Sequence, residues 1–281
     1  GSFFRDVARN EYMYHMLERI SLRTMKVLQR QIKLGSMKPV MIEETFNSER
    51  IKDSGYNYIL ENGMKMSLTG KIDRADMVLE DGIVYVKLVD YKSSSMDVKF
   101  DEIIQARKLQ LIAYSGIVRE LVRANYRDHD VDMAGILYYA FDDPIIDGSL
   151  DDEDHEGAVM NSLKMKGFVH SSTDVIKLLD RTMTTAVPVS LKTDGIKNTE
   201  STLTREQIDN LIETTRENIG AIGNMMVRGD ISNSPLNKSN ACDYCPGRNV
   251  CRFDVKYGGN SVKYSVFEEG GAAHEVDKGT E

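Results

Sequence analysis

The chain has 281 residues, 41% hydrophobic and 28% charged, which is ordinary for a soluble globular protein and enough for one large domain or two small ones. Its 36 Lys and Arg against 44 Asp and Glu give a net charge of −8, which argues against gripping nucleic acid through a broad basic surface. No stretch approaches the ~20 apolar residues of a membrane span and no secretory segment is evident, so the expected compartment is the cytoplasm.

Residues 5–34 carry helical periodicity, with Leu17, Ile20, Leu22, Met25, Leu28 and Ile32 as an apolar stripe read as core packing, and Gly35 as a C-cap glycine. Strands are expected at 40–46, 56–60, 65–79 and 83–91, the last two joined by a hairpin at Asp81-Gly82. A helix over 102–124 covers the sheet, and a strand at 133–141 ends at Asp142-Asp143-Pro144. Residues 145–200 look less regular, with a helix at about 172–182; the acidic run Asp151-Asp152-Glu153-Asp154 reads as a solvated loop rather than a metal site. Thr204, followed by Gln207, caps a helix over 205–228, and 256–281 reads as a flexible tail.

The run from Ile83 to Val89 is almost continuously apolar, as in a strand buried on both faces, and it ends in Asp90-Tyr91-Lys92. Asp90 and Lys92, two apart, share a face, and strand pairing can bring Asp73 beside Asp90. Two carboxylates and an ammonium on one face suit phosphodiester hydrolysis: the carboxylates can hold a divalent cation, and the lysine can orient water or stabilise developing charge. An ion pair on a solvated face is the plain alternative, but charge at the end of a buried strand is costly unless it is paired or bound to metal. Gln110 and Tyr114 lie at i, i+4 on the following helix. The oxygen-only ligands point to Mg2+ or Mn2+ rather than zinc.

All three cysteines, Cys242, Cys245 and Cys251, fall within ten residues. Thiolate clusters hold zinc or iron–sulfur, both of which usually need four ligands, so the set is one short. An odd count disfavours disulfides.

Gly70-x-Ile-Asp-Arg-x-Asp76, Val89-Asp-Tyr-Lys-Ser-Ser94 and Gln110-Leu-x-x-Tyr114, in that order, resemble the RecB-type branch of the PD-(D/E)XK nucleases. The resemblance implies an α/β fold, a restriction-endonuclease-like mixed sheet flanked by helices. The nuclease domain would span 1–255, with a core at about 38–141 and a helical and cysteine segment at 200–255. The implied metal ligands are Asp73, Asp90 and the Tyr91 carbonyl, with Glu43 or Glu44 as a weaker addition. Lys92 is implied as the catalytic lysine, beside Gln110 and Tyr114. Cys242-x-Tyr-Cys-Pro-x4-Cys-x-Phe-Asp254 resembles the nuclease domains of AddAB-type bacterial helicase–nucleases, whose [4Fe–4S] cluster takes its first cysteine from far upstream. That implies action on single-stranded DNA beside an AddA-like helicase–nuclease, in double-strand break repair. A stand-alone CRISPR-associated iron–sulfur nuclease and an inert DNA-end or partner-binding module are the alternatives. The family's helix histidine has no clear counterpart; His15 falls past its expected place. With Gly1-Ser2 resembling a tag scar, the expectation is a fragment cut inside its nuclease domain, unable to hold a complete cluster.

Overall fold

The computed structural model describes residues 8–52, 54–93, 109–144, 155–183, 186–192, 195–197, 199–231, 235, 242–243, 245–254 and 256. The helix start at 102–108, the acidic run 151–154 and the tail from 257 lie outside these.

Six strands carry the fold: β1 (Lys38–Phe46), β4 (Gly70–Glu80), β5 (Ile83–Lys92), β6 (Asp130–Ala140), β7 (Lys166–His170) and β10 (Thr202–Leu203). They form one mixed sheet in the order β1-β4-β5-β6-β7-β10. β5 pairs antiparallel with β4 and parallel with β6, so the chain must cross over between β5 and β6. Helix α2 (Leu109–Asn125) makes that crossover and buries Leu111, Ile112, Ile117, Val118 and Val122 on the sheet. It returns to the start of β6, so its N-terminus stands at the end of the sheet where β5 finishes. Helix α5 (Arg205–Arg228) packs against α2 and opens with the expected box: Thr204 accepts from Gln207 N–H, and the Gln207 side chain accepts from Thr204 N–H.

The opposite face holds α1 (Ala8–Leu34), α3 (His155–Ser162) and α4 (Thr173–Leu179) over a second core around Val89, Leu137, Tyr139 and Ile176. A short α6 (Arg248–Cys251) ends the described elements. The hairpins β2 (Asn57–Ile59)–β3 (Lys65–Ser67) and β8 (Ser190–Lys192)–β9 (Gly195–Lys197) stand outside the main sheet. Among the described residues no helix is long and apolar enough to cross a membrane.

Several expectations are corrected. The strand at 65–79 is two strands, because β3 pairs with β2 and β4 begins afresh at Gly70. The stripe on α1 is not its buried seam: Leu17, Leu22 and Met25 are exposed, while Thr24, Val27 and Gln31 are buried. Gly35 is not in a left-handed conformation; an added Cβ would lie 2.5 Å from the Leu179 carbonyl oxygen, so glycine is needed for close approach to α4. The core also extends past 141, through β7 and β10.

β7 depends on Gly167, whose φ is 129° and whose added Cβ would lie 2.3 Å from the Ile136 carbonyl oxygen on β6. Gly167→Ala should lower unfolding free energy by about 3 kcal/mol, from backbone strain and a clash with fixed backbone. Urea titration measures this; an unchanged midpoint would contradict the packing described.

Candidate active site

The β4–β5 turn is Asp81-Gly82, with φ of 49° and 78°, the two positive values that a tight two-residue hairpin turn requires. It fixes the register through Glu80↔Ile83 to Arg74↔Val89. The paired ladder ends there, and Asp73 and Asp90 are the next residues of the two strands, close enough for the Asp73 charge to act on Asp90. Tyr91 N–H donates to Asp73 Oδ2 at 2.8 Å, tying the two strand ends together. In an extended strand the N–H and C=O of one residue point to the same side. The Tyr91 carbonyl therefore faces the Asp73 side, whereas the Lys92 carbonyl turns the other way and accepts from Phe141 N–H at 2.8 Å.

Asp90 is 6% exposed. Lys92 Nζ lies 2.6 Å from its Oδ2, in an ion pair that holds the buried carboxylate. Burial pushes the Asp90 carboxyl above the usual aspartate range; the Lys92 ammonium opposes this, and the nearby Asp73 carboxylate adds to it. A buried carboxylate, a second carboxylate and a carbonyl turned to the same side form an oxygen donor set that fits a hard divalent cation. Lys92 is further confined by the Tyr138 ring, 5.5 Å from its Nζ.

The remaining expected residues lie around this end of the sheet. Glu43 sits between the pairs Ile42↔Arg74 and Glu44↔Ile72, beside Asp73, with φ of 54°. It ion-pairs with Lys71, while Glu44 pairs with Arg50 at 2.5 Å, so both glutamates have cationic partners. Gln110 is exposed on the first turn of α2. Tyr114 packs edge-on against Phe46 at 5.1 Å, and its hydroxyl fills the space above Gly70. His15 pairs with Glu18 at 3.5 Å. Leu22 is the first of the α1 residues that line the cleft shared with Asp73, and His15 lies seven residues before it, about 10 Å along the helix and outside that lining.

Sequence reasoning missed what lies beneath. Arg74 forks onto Asp76 at 2.6 and 2.5 Å, Lys87 reaches Asp76 at 2.7 Å, and all three are buried. Arg74 also approaches the Tyr91 hydroxyl at 3.5 Å. Burial lowers the Lys87 pKa, against the pull of Asp76. The signal was available: a lysine inside an apolar strand needs a buried anion opposite it, and Asp76 is its register partner.

Cys242 is half-buried, Cys245 and Cys251 are exposed, and among the described residues no group of three His, Cys, Asp or Glu side chains converges to hold a metal ion.

Paired carboxylates and a lysine at the end of a buried strand are the side-chain types that metal-assisted phosphodiester hydrolysis requires. Residues 2–252 match the PD-(D/E)XK nuclease superfamily, and the chain belongs to it. Nucleases of this superfamily use divalent metal ions. The chain is 37% identical over 277 residues to an ATP-dependent helicase/deoxyribonuclease protein of the AddB type from Clostridium acetobutylicum, covering 94% of this chain and 23% of that protein. It is 30% identical over 287 residues to the protein of the same name from Caldanaerobacter subterraneus, covering 96% of this chain and 24% of that one. The chain thus spans about a quarter of the length of the curated relatives it matches.

Two outcomes follow from this geometry. Mg2+ or Mn2+ should raise the unfolding temperature of the native chain by several degrees, through binding to the folded state alone, and should leave an Asp73→Ala/Asp90→Ala double variant unmoved. Equal shifts in a thermal melt would place the metal elsewhere. The aerobically purified 281-residue chain should carry sub-stoichiometric iron and no iron–sulfur absorption; about four irons per chain would contradict the reading of the thiols.

Proposed function

We propose that the chain is the nuclease domain of an AddB-like protein, a metal-dependent DNA exonuclease working in the cytoplasm beside an AddA-like helicase–nuclease. It would act on single strands released from unwound duplex at double-strand breaks. The observation that carries the hydrolytic reading is that the β4–β5 pairing ends with Asp73 near Asp90, and Lys92 is ion-paired to that buried carboxylate.

Asp73, Asp90 and the Tyr91 carbonyl would hold Mg2+ or Mn2+. When bound, the cation supplies charge neutralisation at the phosphate and a lowered pKa for water. Asp90, fixed by burial, holds the Lys92 ammonium at the mouth of the site, where it orients the attacking water or meets the charge that grows on phosphate oxygen. Tyr91 N–H, donating to Asp73, keeps the two strand ends in one geometry. Gln110, exposed on the first turn of α2, offers its amide to a phosphate oxygen, and Tyr114 supports that turn by packing on Phe46. A [4Fe–4S] cluster belongs to the full-length protein in this reading, its further thiolate coming from outside these residues.

The test is cleavage of end-labelled single-stranded DNA with Mg2+. Asp90→Ala should abolish it. Lys92→Ala should slow the single-turnover rate about 10²-fold or more while DNA binding changes little. Retained cleavage in Asp90→Ala would refute the assignment; lost binding at an unchanged rate would make Lys92 a phosphate grip.

A further inference from the structure

Beside the carboxylates lies an aromatic and cationic surface that the hydrolytic reading does not use. Phe141 follows β6 and is 39% exposed. Its ring stacks on Tyr91 at 5.4 Å with an interplanar angle of 20°, and Tyr139 meets it edge-on at 5.9 Å. Its N–H donates to the Lys92 carbonyl, so Phe141 stands one strand, about 4.8 Å, from the catalytic lysine. Tyr91, Tyr139 and Phe141 point to one face of the sheet; Asp90 and Lys92 point to the other.

The same face holds a cationic wall. Arg19 and Arg23 of α1 both pair with Asp143, two residues past Phe141, leaving two guanidiniums on one carboxylate. With Lys26 they line a groove of about 510 Å³, whose one acidic lining residue is Glu18. Leu22 and Lys26 also line the adjoining cleft of about 540 Å³ that contains Asp73 and Tyr91. On a chain of net charge −8, this is a local cationic track leading to the carboxylates.

We propose that Phe141, stacked on Tyr91, is a platform for one unpaired nucleobase of the DNA strand, and that Arg19, Arg23 and Lys26 hold the phosphates beyond it. The inference rests on the nuclease reading and deepens it. A nucleotide crossing the end of the sheet presents its phosphate to the Asp90–Lys92 face and its base to the aromatic face. A base inside a duplex is stacked on both ring faces, so the platform takes an unpaired or terminal base. Stacking is sequence-tolerant because every base has a π face.

The chain contains no tryptophan, so Phe141→Trp provides a single fluorescent reporter. The native chain and this variant are titrated, with Ca2+ in place of Mg2+, against fluorescein-labelled and unlabelled oligothymidylate and against a matching abasic oligomer. Tryptophan emission should be quenched in step with the rise in anisotropy, and the abasic oligomer should bind without quenching. Phe141→Ala should weaken binding about tenfold or more, Phe141→Tyr should restore it, and Arg19→Ala/Arg23→Ala should flatten the dependence of affinity on salt. Binding without quenching, or equal affinity for Phe141→Ala, overturns the platform. Cleavage by the native chain with Mg2+, abolished in Asp90→Ala, would leave the nuclease reading standing in that case. No binding of either oligomer also overturns the platform, and absence of that cleavage overturns the nuclease reading as well.

Discussion

The pairing of β4 with β5 across a two-residue turn is the constraint on which the site depends. Strand side chains alternate between faces, so a slip of one residue would move Asp90 and Lys92 to the face of the aromatic stack and separate Asp90 from Asp73. The positive φ of both turn residues, Asp81 and Gly82, blocks that slip at one end, and the Tyr91–Asp73 hydrogen bond blocks it at the other. The candidate site is thus built on strand ends, with precision taken from the sheet rather than from loops.

The buried Arg74–Asp76–Lys87 group reinforces the same pairing. Taking three charges out of water is costly, and their attraction offsets that cost only in good geometry. Arg74 forks onto Asp76, and Lys87 approaches from the neighbouring strand, so the arrangement is satisfied in one register alone. Removing one partner would strand a buried charge. The triad therefore acts as a registry device, and its contact with the Tyr91 hydroxyl links it to the residue that spans the carboxylates and the aromatic face.

The sheet centre and the site motifs were legible in the sequence because each carried a local signal: the apolar run 83–89, Asp81-Gly82, and the Thr204–Gln207 box. β7 and β10 were not legible, since five- and two-residue strands carry too little periodicity to stand out from loop. The seam of α1 was misjudged because Leu17, Leu22 and Met25 give the stronger pattern, while the true contact uses Thr24, Val27 and Gln31. Gly35 was recognised as punctuation for the wrong reason, because the proximity of the Leu178 and Leu179 carbonyls is a tertiary fact. The stacking of Phe141 on Tyr91 escaped notice because the two are fifty residues apart and meet through the parallel pairing of β5 with β6.

The proposed divalent-cation site of Asp73, Asp90 and the Tyr91 carbonyl at the end of β5 can be seen by anomalous diffraction from crystals of the chain soaked in Mn2+. An anomalous peak is expected within coordination distance, roughly 2.1–2.4 Å, of both carboxylates and of the Tyr91 carbonyl oxygen, and it should vanish in Asp90→Ala. Manganese bound elsewhere, with Asp90 still closed onto Lys92, would contradict it.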